Sequence, residues 1–299
     1  MPQLFKFPVP ISPPRSYSHA RGISRRHIAS TSLAPAPKKK KMALTTDVNV
    51  PKPINDDAAA PAFGAGGKPL PPPYKSTGNE ALDTLAFLHM LEQLKVQKRS
   101  GWIREGVSVR VTSFISDHMC RMALMAMMVP NTAERPLDIP RCVMMALVHD
   151  LAEAYVGDIT PVEGVPVEVK HQLEEQAMDS FLNEMLGSEG NKEAKERFRS
   201  LFEEYEARET PESKLVKDLD RLELALQAVE YERTQGVQTL APFFRGSIPN
   251  LEHPAVRSWA ETLMEERKQL WESRGQGEQE QRELEGAVVG GKVKAAGGA

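Results

Sequence analysis

From about Ser76 to Trp271 the apolar residues recur every three or four positions, and no stretch alternates at every second residue. That period belongs to amphipathic helices, so the chain is expected to be all-α. Leu82, Leu85, Leu88, Leu91 and Leu94 mark a first helix, supported by Phe87 and Met90. Ser116 reads as the N-cap of a second, in which Met119, Met122, Ala123, Ala126 and Met127 form a buried stripe. Asp138 caps a third, with Pro140 in its first turn, that runs through Val143 to Tyr155 before Gly157 ends it. A fourth spans Val167 to Leu186 and a fifth Lys192 to Ala207. Thr210-Pro211 opens a sixth, Glu212 to Arg233, and a seventh runs from Pro254 to Trp271. The expectation is a bundle of six to seven helices forming one domain over residues 76–272.

The two ends have other compositions. Residues 1–41 carry nine Lys or Arg and no acid, and Arg21-Gly-Ile-Ser-Arg25-Arg26-His27 looks like a mitochondrial transit peptide. A disordered basic tail fits the same residues, and Met42 is an alternative start. Residues 42–75, rich in Pro, Gly and Ala, read as a linker without structure, and residues 273–299 as a disordered polar tail. With the basic leader set aside, the body of the chain is strongly acidic, which disfavours nucleic-acid binding through general electrostatics. No apolar run approaches the ~20 residues that cross a bilayer, so no membrane partner is expected. Cys120 and Cys142 sit in Met-rich apolar runs and read as reduced, buried thiols of an intracellular protein, cytoplasmic or mitochondrial.

Within this helical frame a few polar residues stand out. His149 and Asp150 adjoin in the apolar run Val143-Met-Met-Ala-Leu-Val-His-Asp-Leu-Ala, where an unpaired carboxylate costs several kcal/mol, so the pair calls for a cation. His118 comes from the second helix and Asp220 from the sixth, in Lys217-Asp-Leu-Asp-Arg-Leu-Glu. Singly, His118 reads more readily as a core histidine than as a ligand, and Asp220 as a solvated helix residue or the partner of Arg221. Together, two imidazoles and two carboxylates suit Mn, Co, Fe, Ni or Zn, and their oxygens admit Mg. Glu153 lies four residues after His149, one turn along a helix face, where it can serve as general acid or base. Asp158 follows Gly157 at a helix end, where the dipole disfavours a carboxylate unless a cation is near or the side chain caps the next turn.

The ordered set of His, His-Asp and Asp resembles the HD-domain superfamily of metal-dependent phosphohydrolases. Ser116-Asp-His118-Met-Cys-Arg-Met-Ala, Ala146-Leu-Val-His149-Asp150-Leu-Ala-Glu153, Gly157-Asp158-Ile159 and Val216-Lys-Asp-Leu-Asp220 resemble its 5′-deoxynucleotidase branch in the eukaryotic form. The resemblance implies hydrolysis of deoxynucleoside 5′-monophosphates with a divalent metal, Mn, Co or Mg, held by His118, His149, Asp150 and Asp220. It implies Glu153 as the catalytic residue, a second metal site at Glu153, Asp158 and the Ile159 carbonyl, and a homodimer. Arg99-Ser-Gly-Trp102-Ile-Arg104 resembles the nucleotide-contacting segment, in which an Arg, here Arg99 or Arg104, supports phosphate and Trp102 packs on the sugar. Trp102 also reads as a core anchor.

Two other readings compete. Another HD-type enzyme, a deoxynucleoside triphosphatase or a phosphodiesterase, would call for added histidines and a Gly-Tyr-Pro signature after His149-Asp150, or room for a triphosphate insert. An inactive helical scaffold would be expected to have lost part of the metal set.

Overall fold

The computed structural model describes residues 63–160, 163–235 and 240–278. Among these the only regular elements are helices, with isolated bridges such as Lys98 to Phe114. Two long helices carry the architecture. Helix α4 (Ile115–Met128) and helix α9 (Pro211–Gln235) pack on each other, and α5 (Ile139–Ala146) lies against both. Helix α9 has 25 residues, about 37 Å of helix. Long enough to touch many partners, it also meets α8 (Lys192–Ala207), α10 (Ala241–Ser247) and α11 (Pro254–Ser273). The amino-terminal α1 (Glu80–Met90), α2 (Glu92–Val96) and α3 (Ser100–Arg104), together with α6 (Glu153–Val156) and α7 (Val167–Ser180), complete the set.

Local chemistry sets most helix ends. Asp138 caps α5 by accepting from the Arg141 amide, as expected, and Asn79 caps α1 by accepting from the Ala81 and Leu82 amides. Helix α4 begins earlier than expected. Its cap is Phe114, whose amide donates to Asp117 Oδ2 at 2.9 Å, and Ser116 already lies inside the first turn. Gly157 ends α6 at φ 85°, and a Cβ there would meet the Ala65 Cβ at 2.6 Å.

Other expectations also need correction. Leu82, Leu85 and Leu88 are about half exposed, while α1 buries Asp83 and Phe87. A strict three-residue repeat falls about 60° short of a full turn at each step, so it spirals around a helix instead of marking one face. Met127, about 80° around α4 from Met119 by the same rule, is 65% exposed, whereas Met119, Met122, Ala123 and Ala126 are buried. Cys142 is buried as expected, but Cys120 is exposed. Finally, residues 63–75 are anchored and do not form a free linker. Ala65, Leu70 and Tyr74 pack on the core, and Asp83 accepts from Tyr74 Oη at 2.6 Å and Ser76 Oγ at 2.7 Å. The leader of residues 1–41 lies outside the described residues, as does most of the 273–299 tail.

The expected third helix is interrupted where the chemistry lies. After α5 the chain forms tight turns over Leu147–Ala152, with Leu151 donating to Val148 and Glu153 to Asp150, before α6 starts. In such three-residue turns the positions i and i+3 eclipse. The regular helical turn expected between His149 and Glu153 is therefore replaced by turns bonded three residues back.

Candidate metal centre

Packing of α4 against α5 and α9 brings donors from three parts of the sequence to one point. His118 lies one turn into α4, Asp220 near the middle of α9, and His149 and Asp150 on the turn after α5. The Nε2 atom of His149 is 3.1 Å from Asp150 Oδ2. That of His118 is 3.2 Å from Asp220 Oδ1 and 3.8 Å from Asp150 Oδ2. One ligand atom each from His118, His149 and Asp150 lies within 4.8 Å of the others.

The other nitrogen of each ring is engaged. His149 Nδ1 donates to the Ala146 carbonyl at 3.0 Å, and His118 Nδ1 faces Glu223 Oε2. Neither Nε2 atom makes a hydrogen bond, although both are buried. Once neutral, a ring that keeps its proton on Nδ1 presents a lone pair at Nε2, so each ring can offer one to a cation held with the carboxylates. Asp220 is fixed in the same manner. Tyr205 Oη and Lys217 Nζ donate to its Oδ2 at 3.1 and 2.7 Å, leaving Oδ1 turned to His118. Buried imidazole lone pairs facing two carboxylates form a donor set that fits a divalent ion.

Electrostatics agree with a site made for positive charge. Burial opposes ionisation of Asp150 and Asp220, yet His149 and His118 hold the first well below the ordinary carboxylate range, and Lys217 with both histidines holds the second there. Burial and Arg99 disfavour a proton on His118, but Glu223 and Asp220 outweigh them and raise its pKa to about 9. Glu153 is shifted the other way. Burial, then the charges of Asp150 and Asp158, lift its pKa well above the ordinary value. It is buried, and its Oε2 has no hydrogen-bond partner.

The substrate-side residues separate. Arg99 is carried beside the cluster because Lys98 bridges to Phe114, Arg99 N donates to Ser113 O, and Ile115 N donates to Gln97 O. Its Nη1 lies 3.8 Å from Asp150 Oδ2. Burial works against its charge, but Asp158, Glu223, Asp150 and Glu153 keep it protonated. Arg104 instead pairs with Glu163 at 3.6 Å. Trp102 is 1% exposed, its ring between Phe243 and Tyr231, so a sugar meets it only if a neighbour moves. Asp158 Oδ2 accepts from the Ser100 amide at 2.6 Å and Ser100 Oγ at 3.2 Å, which caps α3 across 58 residues of sequence. The Ile159 side chain is buried in the core.

Several residues at the centre were not singled out in the sequence: Lys217, Glu223 and Tyr205 around the ligands, and Arg121 behind Glu223. The signal was available on α9. Lys217, Asp220 and Glu223 are three apart, which puts them on neighbouring parts of one face. No spacing rule reaches Tyr205 or Arg121, which come from α8 and α4.

The sequence profile of the HD domain family matches residues 91–252, the span from α2 to the start of α11 that holds all of these side chains. The chain belongs to the HD domain family. Its relatives include the 5′-deoxynucleotidase of Schizosaccharomyces pombe, 38% identical over 196 residues, which cover 65% of this chain and 95% of that protein. The 5′-deoxynucleotidase of Homo sapiens is 39% identical over 192 residues, 64% of this chain and 89% of the relative. That of Saccharomyces cerevisiae is 33% identical over 189 residues, 63% and 85%. This HD domain chain therefore falls in the 5′-deoxynucleotidase branch of its family, as the motifs led one to expect.

Proposed function

We propose that this HD domain protein is a metal-dependent 5′-deoxynucleotidase, hydrolysing deoxynucleoside 5′-monophosphates to deoxynucleoside and phosphate. The observation that carries the reading is the convergence of His118, His149 and Asp150 donor atoms within 4.8 Å, with both Nε2 atoms unbonded. His118, His149, Asp150 and Asp220 would hold one divalent ion, Mn, Co or Mg. When bound, such an ion lowers the pKa of nearby water and neutralises phosphoryl charge.

The remaining chemistry falls to the chain. Arg99 faces the carboxylate cluster with its guanidinium and holds the phosphate dianion, in the forked geometry a lysine cannot supply. Glu153, whose protonated form is favoured by burial and by the charge of Asp150, donates to the 5′ oxygen as the phosphorus–oxygen bond breaks. The proton given up by the attacking water restores it. Arg104 is left out of this role by its pairing with Glu163. Trp102, fixed behind the segment that carries Arg99, selects deoxyribose only through a rearranged ring. A second ion at Glu153, Asp158 and the Ile159 carbonyl would require Glu153 to be ionised, in place of its role as proton donor, and Asp158 to share the carboxylate that caps α3.

The protein is proposed to act as a homodimer, for which the exposed Leu82, Leu85 and Leu88 of α1 offer apolar surface. Among the described residues no helix is long and apolar enough to cross a membrane, and a cytoplasmic or mitochondrial site of action is proposed with the leader.

The test is phosphate release from dAMP and AMP by the purified chain, stripped of metal and resupplied with Mn, Co or Mg. Cleavage of dAMP over AMP, present only with metal and lost in Asp150→Ala, is the expected result. Release from neither nucleotide under any metal removes the proposal. Light scattering of the same sample reads the oligomeric state.

A further inference from the structure

His118 and His149 meet the same centre, yet the partners behind them differ in kind. Behind His149 stands a neutral backbone carbonyl, Ala146 O. Behind His118 stands a buried carboxylate, Glu223, whose Oε2 contacts Nδ1. Glu223 is itself gripped from the far side. Arg121 gives its Oε1 two bonds, from Nε at 2.9 Å and Nη2 at 2.6 Å. The same guanidinium is held by both oxygens of Glu230 at 2.9 Å and by Gln227 Oε1 at 2.6 Å. His118 and Arg121 lie three apart on α4, and Glu223, Gln227 and Glu230 follow one another along α9. The chain of contacts thus runs from the surface, through the packed pair of helices, to one ring nitrogen.

We propose that Glu223 is a positioning residue that fixes the tautomer and angle of His118 so that Nε2 faces the metal, with Arg121 holding the carboxylate in place. The inference rests on the reading of the centre as a metal site. A carboxylate behind a ligating imidazole raises the basicity of the opposite nitrogen and prevents the ring from turning, whereas a carbonyl offers weaker support. His118 is the ring that needs it. His149 lies on a turn tied by its own backbone bonds, while His118 has no local backbone acceptor at Nδ1 and depends on a partner from another helix. Glutamine cannot replace the carboxylate without conflict. Its amide must turn NH₂ toward either His118 or Arg121, and each presents a donor on that side.

The test compares the full chain with Glu223→Gln, Arg121→Gln and Glu230→Gln, using Co²⁺ as the probe. Affinity is measured by titration of metal-free protein, ligand geometry by the visible absorption of bound Co²⁺, and folding by thermal melting. Glu223→Gln is expected to weaken Co²⁺ binding about ten- to a hundredfold and to change the absorption spectrum. Arg121→Gln should produce a smaller loss of the same kind, and Glu230→Gln, which touches only Arg121, close to none. Should Glu223→Gln fail to fold, Arg121→Gln decides. Its loss of affinity supports the proposal, and wild-type affinity overturns it. A folded Glu223→Gln protein that binds Co²⁺ with wild-type affinity and spectrum also overturns it, leaving Glu223 as a clamp between two helices. If the wild-type chain itself binds no Co²⁺, the metal reading fails, a different outcome from the failure of Glu223.

Discussion

The candidate ligands stand on α4, α9 and a hydrogen-bonded turn, whereas Arg99 stands just before a helix of five residues. On the metal side three of the four donors have a second partner behind them: Glu223 for His118, Ala146 O for His149, Tyr205 and Lys217 for Asp220. On the substrate side Arg99 depends on the bridge from Lys98 to Phe114, and Trp102 is locked in the core. Long helices fix a side chain through many packed neighbours, while a short segment inherits its position from what it is tied to. The candidate ligands are accordingly fixed by the packing of α4, α5 and α9, and Arg99 by how the amino-terminal segment sits on α4.

The largest expected effect breaks the metal side. Asp150→Ala removes the carboxylate that approaches the Nε2 atoms of both histidines, at 3.1 Å from His149 and 3.8 Å from His118, and should lower activity by several kcal/mol of barrier, roughly a thousandfold, together with metal affinity. Retained turnover with a metal-free protein would show that the ligands have been misread. Next, Glu153→Gln should cut kcat about a hundredfold or more while leaving the Co²⁺ affinity of the site formed by His118, His149, Asp150 and Asp220 near wild type. A pH–rate profile checks the role. Because Glu153 acts in its protonated form and its pKa is raised, wild-type activity falls as pH rises through that value, and the variant should lack this limb.

Arg99→Lys probes the other side. Replacing charge-assisted bonds worth about 1.5–3 kcal/mol should raise KM for dAMP about ten- to a hundredfold with metal affinity kept, and Arg104→Ala should do little. Equal effects of the two substitutions on KM would break the assignment of phosphate to Arg99. A smaller signal comes from protons. His118 in the metal-free protein is protonated up to about pH 9, so metal uptake near pH 7.5 should release about one proton, measurable by calorimetry in buffers of different ionisation heat. The sign for stability follows from the raised pKa. Its contribution to the metal-free fold is complete below the ordinary histidine value and disappears as pH climbs through about 9, which denaturant titration at several pH values can follow. The smallest change separates the two views of Trp102. Trp102→Phe should lower Tm through lost packing, and a constant dAMP-to-AMP ratio would confine the ring to the core.

The sequence by itself determined the helical class, the ends of several helices through Asp138, Pro211 and Pro254, and the presence of the His, His-Asp and Asp set proposed to hold a metal. These signals are local or motif-like. A cap acts within one turn, and an imidazole beside a carboxylate in an apolar run implies a cation wherever the chain takes it. Tertiary structure alone decided the rest. Periodicity could not show that the third helix breaks into tight turns, because turns bonded three residues back carry nearly the same apolar spacing as an α-helix. It could not tell which arginine faces the centre, because Arg99 and Arg104 are separated by their neighbours in space, Asp150 and Glu163. Nor could it pair Glu223 with His118, 105 residues apart, since only the packing of α4 on α9 closes that distance.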